Sequence, residues 1–107
     1  MAKFLLKVRY TAEGIGGVMR DGGSARRAAA QDLAKAVGGS LESFHFAFGD
    51  EDAYAICDLP DNKAAAKLAM TVSRTGRVAI TTVPLITVDE MDAIAAGSAL
   101  EYSPPGS

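Results

Sequence analysis

The chain has 107 residues, 49% of them hydrophobic and 22% charged. That is enough apolar material for one packed domain over residues 1–107 and too little chain for two, which excludes a disordered tail, a collagen-like fibre and a multidomain enzyme. The formal charge of −2 carries no nucleic-acid footprint.

The charge is unevenly spread. Residues 1–39 hold seven basic and three acidic groups, and residues 40–107 hold four basic and ten acidic ones. Such halves attract each other, or a second copy, unless the charge is simply solvated. Cys57 is the only cysteine, so no internal disulfide is possible, and in a strand pattern it reads as a small buried hydrophobe. The apolar run after Lys3 is too short for a signal peptide, and no stretch has the length needed to cross a bilayer. These features predict a soluble, cytoplasmic protein with no membrane partner.

Residues 3–10 read as a strand, with Phe4, Leu6, Val8 and Tyr10 on one face and Leu5, Lys7 and Arg9 on the other. Thr11 to Gly23 is glycine-rich, with room for one short helical turn around Ile15 to Met19. Ser24 is a suitable N-cap for a helix running to about Val37 and stopping at Gly38-Gly39, with Ala25, Ala29, Leu33, Ala36 and Val37 as its buried stripe.

Ser40 to Phe48 alternates, placing Phe44, Phe46 and Phe48 against the helices and Ser43, His45 and Ala47 on the far side. The polar turn Gly49 to Asp52 predicts a hairpin into a strand over Ala53 to Leu59. In that strand the choice of buried face stays open, because Ala53, Ala55 and Cys57 compete with Ile56. Pro60 ends the strand, Asp61 caps a helix over about 62–74 with Ala65, Leu68, Ala69 and Val72 inward, and Gly76 closes it. Arg77 to Ile86 is a fourth strand. Thr87 and Glu90 form a capping box for a last helix ending at Gly97, with Ile86 and Met91 as a hydrophobic staple. The tail from Glu101 to Ser107 has no regular structure, but Tyr102, Pro104 and Pro105 predict that it docks on another element or a neighbouring chain.

The order is the split βαββαβ pattern of a ferredoxin-like α+β fold with one extra C-terminal helix. Its antiparallel sheet has one face under two helices and one bare. The bare face would carry Leu5, Ile56 and Val83, which predicts a homodimer or larger homo-oligomer with no stable monomer.

The sequence resembles the GYD domain family, small stand-alone bacterial proteins related to the dimeric α/β-barrel superfamily. The segments that carry the likeness are Tyr10 to Gly14, Gly22 to Arg27, Gly38-Gly39, Phe44 to Asp52, Asp58 to Asp61 and Tyr102 to Gly106. Of the element that names the family, Gly49 and Asp52 match, while Glu51 stands where a Tyr is usual. The resemblance implies the ferredoxin-like fold and homo-oligomerisation through the sheet. It implies no particular activity, since relatives in the superfamily range from cofactor-free monooxygenases and isomerases to dehalogenase-like and haem proteins.

Two glycine motifs fail: Met19 sits where a dinucleotide fingerprint needs its third Gly, and Gly23 replaces the Lys of a P-loop. What remains is a helix start at Ser24 with Arg26 and Arg27 in its first turn, a candidate anion site. Its alternative is a capped helix with solvated arginines. His45, the only histidine, shares the open face with Lys7, Arg9, Tyr54 and Asp58, a candidate cleft for a small-molecule ligand. A carboxylate beside His45 would make it a general base; the alternative is an interface polar network.

Metal-ligand spacing is missing, no cofactor is implied, and no nucleophile elbow occurs. RNA binding would need aromatic rings on the open face, where only His45 and Tyr54 fall. Two functions result: a homo-oligomeric ligand-binding or structural domain, or a cofactor-independent monooxygenase or isomerase-like enzyme acting on a small molecule in a sheet-face cleft. No catalytic residue is assigned.

Overall fold

A computed structural model describes residues 1–106; Ser107, the last residue of the tail, lies outside them. The elements are β1 (Ala2–Tyr10), α1 (Ala12–Asp21), α2 (Gly23–Ala36), β2 (Ser40–Phe46), β3 (Ala53–Leu59), α3 (Asn62–Ser73), β4 (Val78–Leu85) and α4 (Val88–Ala96). The four strands form one antiparallel sheet in the order β2-β3-β1-β4. This is the expected ferredoxin-like α+β architecture with an extra C-terminal helix. Helix α2 covers the β2–β3 side of the sheet and α3 the β4 side.

The core follows from the alternation. Phe4, Leu6 and Val8 of β1 and Ala53, Ala55, Cys57 and Leu59 of β3 are buried with Ala34 of α2 and with Ala65 and Leu68 of α3. This settles the face of β3: small residues look inward, where they let the helices approach, and Tyr54, Ile56 and Asp58 look outward. Cys57 is a free thiol pushed up to about 11, first by burial and second by the Asp58 charge. At neutral pH it is a protonated core side chain and no nucleophile.

Four local expectations need correction. The glycine-rich segment is a full ten-residue helix, α1, capped by the Thr11 hydroxyl, which accepts from the Gly14 N–H at 3.2 Å. Gly14 makes its docking possible, because a Cβ there would overlap the Arg77 carbonyl. That carbonyl accepts the Thr11 N–H at 3.0 Å. The cap of α2 is Gly22, at φ 87°, and not Ser24. A glycine suits that left-handed backbone, which α1 needs in order to turn directly into α2. The inward stripe of α2 keeps the expected Ala29, Leu33 and Val37, which are half-buried, and adds the buried Ala34 with half-buried Arg26 and Ala30, while Ala25 and Ala36 are exposed. Finally, Phe48 lies past the end of β2 and is fully exposed, and Phe46 is 43% exposed, resting edge-on against Phe44 with ring centres 5.2 Å apart.

The expected capping box of α4 is present, with the Thr87 N–H donating to Glu90 at 2.8 Å and the Glu90 N–H to Thr87 at 3.0 Å. That pairing holds the Glu90 carboxyl below its usual range. The helix makes no substantial contact with the rest of the chain among the described residues. The staple residues Ile86 and Met91 stay about half exposed, and Leu100 and Tyr102 of the tail are exposed too. Residues 101–106 are all exposed, so this part of the tail docks on no element of its own chain among the described residues. With α4 and the following residues 97–106 projecting as an arm, the molecule measures 56 × 33 × 22 Å, with a radius of gyration of 17.1 Å, against about 13 Å for a compact chain of this length. No helix is long and apolar enough to cross a membrane among the described residues.

Candidate functional site

Three places gather chemistry. The first is the open sheet face. The strand registers arrange it in rows: Thr81, Lys7, Tyr54 and His45; then Val83, Leu5, Ile56 and Ser43; then Leu85, Lys3, Asp58 and Ser40. A bulge between Leu41 and Ser43 adds Glu42 to the third row without displacing His45 from the open face. Lys3 donates to Glu42 at 2.8 Å and to Asp58 at 2.9 Å. Its pKa is raised, first by the Glu42 bond and then by the Asp58 bond. At the opposite end Lys7 and Arg9 share the Glu51 carboxylate, at 4.0 and 3.6 Å.

The face brings together Lys7, Tyr54 and His45 of the expected cleft, but not Asp58. Tyr54 and Asp58 are four residues apart on one strand, or about 13 Å, and Asp58 is already engaged by Lys3. His45 therefore has no carboxylate on its row to act with.

The second place is a groove of about 390 Å³ along the free edge of β2, lined by Arg27, Gln31, Leu41, Glu42, Ser43, Phe44 and His45. The fold thus unites Arg27 and His45, which sequence reasoning assigned to separate sites. Ser24 is exposed and joins neither groove.

The third place separates Arg26 from Arg27. Consecutive residues on a helix point about 100° apart, so Arg26 turns inward under α1. There it borders a groove of about 400 Å³ between α1, the start of α2, the ends of β1 and β4, and the Thr75–Arg77 turn. Arg20 lies 3.7 Å from Asp21, and Arg77 lies 3.2 Å from Glu13. Arg26 has no carboxylate within 4.0 Å among the described residues, and its Nε is buried without a hydrogen-bond partner. Tyr10 borders the same groove. Burial pushes its phenol above the ordinary tyrosine value, against the neighbouring Arg26 guanidinium, which pulls it down by its charge and by side-chain hydrogen bonding, so it stays protonated at neutral pH. Sequence reasoning singled out Arg26, but missed Tyr10 because strand periodicity assigns it to the core.

No group of three or more His, Cys, Asp or Glu residues is placed to hold a metal ion among the described residues. A family model described as the GYD domain matches residues 4–95. No curated protein and no solved structure matches the chain.

Proposed function

The chain belongs to the GYD domain family, and from that premise we propose that it is the subunit of a homo-oligomer that serves as a ligand-binding or structural module, assembled through the open sheet face. The supporting observation is a pair of complementary surfaces that one chain leaves uncovered. The open face carries the half-buried apolar row of Leu5, Ile56 and Val83 together with Leu85, and at one end has two cations against the single Glu51 carboxylate. The C-terminal arm presents Val88, Met91, Ile94, Leu100 and Tyr102 to solvent. It carries the carboxylates Asp89, Glu90, Asp92 and Glu101, and no Lys or Arg follows Arg77. Exposed apolar surface of this extent on a small chain marks a contact. An acidic apolar arm complements the Lys7–Arg9 end of that face on a second copy, while Lys3 at the other end is already matched by Glu42 and Asp58. A cytoplasmic setting, where Cys57 stays reduced, suits the same reading.

Light scattering and native mass spectrometry test the assembly. A dimer or larger species is expected at micromolar concentration. Ile56→Glu should dissociate it, and so should ending the chain after Leu85, which removes the arm and leaves the sheet intact. A monodisperse monomer of the unaltered chain refutes the assembly. So does a truncated chain that keeps the full oligomer, as far as the arm is concerned. The second reading, an enzyme with His45 as base, gains no support from the geometry, since Asp58 is committed to Lys3 one strand end away.

A further inference from the structure

The groove under α1 has the features of a binding site for a small organic anion, and α1 forms one of its walls. Its lining includes three arginines, Arg20, Arg26 and Arg77, against two carboxylates, Glu13 and Asp21. Two of the cations are matched by those carboxylates, which leaves one unbalanced positive charge on Arg26. A guanidinium whose Nε–H is shielded from water and unbonded bears the desolvation cost of a charged donor. Native proteins rarely leave such a donor idle: a water, an ion or a ligand completes it.

The groove does not end at Arg26. A second, apolar hollow of about 60 Å³ lies between the helices and the sheet, bordered by Leu33, Phe44, Leu68, Val72 and Ile80. Tyr10, Arg26 and Val78 border both spaces. A molecule whose charged end rests on Arg26 therefore has an apolar recess directly behind it. We propose that this composite cavity binds a small amphipathic monocarboxylate, its carboxylate on the Arg26 guanidinium and the Tyr10 hydroxyl and its short apolar body directed into the recess. One unbalanced cation fits a monoanion better than a phosphate dianion. A planar guanidinium fork suits the two oxygens of a carboxylate.

This deepens the ligand-binding part of the reading above and is independent of the assembly, since every lining residue comes from one chain. The test is calorimetric titration of the full-length protein with hexanoate, hexanol, acetate and inorganic phosphate, alongside NMR of the Arg26 Nε–Hε correlation. Saturable hexanoate binding is expected, at least about tenfold tighter than acetate or phosphate, with the Nε–Hε signal shifting in step. Arg26→Gln should weaken hexanoate binding about tenfold or more, and Arg26→Lys should recover part of it. Tyr10→Phe should weaken it by a smaller factor. Where Arg26→Gln disturbs folding, the shift of the Arg26 signal in the unaltered protein decides the matter. Hexanol binding as well as hexanoate, phosphate binding better, or an unmoved Nε–Hε signal overturns the proposal. An oligomer that binds nothing refutes the site alone; a monomer that binds hexanoate refutes the interface alone.

Discussion

Replacing glycine by alanine inside a helix normally stabilises it by about 1 kcal/mol, because the unfolded chain loses freedom and the helix gains a good former. Helix α1 contains Gly14, Gly16 and Gly17, and the structure divides the first two by sign. A Cβ at Gly16 meets nothing within 4 Å, whereas a Cβ at Gly14 runs into the backbone carbonyl of Arg77. A carbonyl fixed at the mouth of β4 has no rotamer with which to yield. The helix must lift instead, straining the Thr11 N–H to Arg77 bond of 3.0 Å. Overpacking costs about 1–3 kcal/mol and the lost bond about 0.5–1.5 kcal/mol; together these outweigh the propensity gain.

Gly14→Ala is therefore expected to destabilise by about 1–3 kcal/mol, a fall in melting temperature of roughly 5–20 °C. Gly16→Ala should stabilise by about 0.5–1 kcal/mol. Urea titrations of the three proteins at one fixed concentration measure both, since a homo-oligomer's stability depends on concentration. If Gly14→Ala is as stable as Gly16→Ala, α1 does not sit on β4 as described, and the groove it encloses is lost with it.

Two further expectations rest on the core. Leu59→Ala, at a fully buried site, should cost about 2–5 kcal/mol. His45→Ala, at an exposed one, should cost less than about 0.5 kcal/mol. Phe46→Ala belongs nearer to His45→Ala than its strand pattern predicts, and denaturant midpoints in the reverse order would contradict the face assignments. Cys57 supplies a pH dependence: its folded pKa of about 11 lies above the unfolded value, so folding favours the neutral thiol. That contribution is complete below the unfolded pKa of about 8–9. It is lost as pH rises through about 11, a difference of some 2–3 kcal/mol. Comparing the chain with Cys57→Ala at pH 7 and pH 10.5 isolates it, and parallel losses in the two proteins would rule it out.

The sheet was legible because strict alternation in β1 and the Gly49–Asp52 turn leave one way to pair the strands. Helix α1 was not, because its glycines argue against a helix locally. A tertiary contact overrides that argument: Gly14 lets the helix seat on Arg77, and Thr11 caps it. In α2 the inward Ala29, Leu33 and Val37 were legible, but Ala34 was missed and Ala25 and Ala36 misplaced, because a run of alanines offers no contrast between faces. Asp58 and His45 do share a face, as alternation requires, but only the register separates them by four residues of β3. Arg26 was visible as a cation near a helix start. Its meaning depends on Tyr10 and Val78, brought beside it by strands that begin and end far away in sequence.

Strand β1 lies in the middle of the sheet, yet it is made first, and its partners β3 and β4 begin at Ala53 and Val78. At a synthesis rate of roughly 5–20 residues per second, β1 waits for several seconds before β4 exists to pair with it. During that interval Phe4, Leu6 and Val8 are an adhesive segment with nothing to adhere to. Lys3, Lys7 and Arg9 are set before, between and after them, and such interleaved charges keep a nascent apolar strand from joining its copies. The same cations that line the finished sheet thus protect the ribosome-bound chain, and neutralising Lys3 and Lys7 together should first appear as lost soluble yield during synthesis, before any loss in the folded protein.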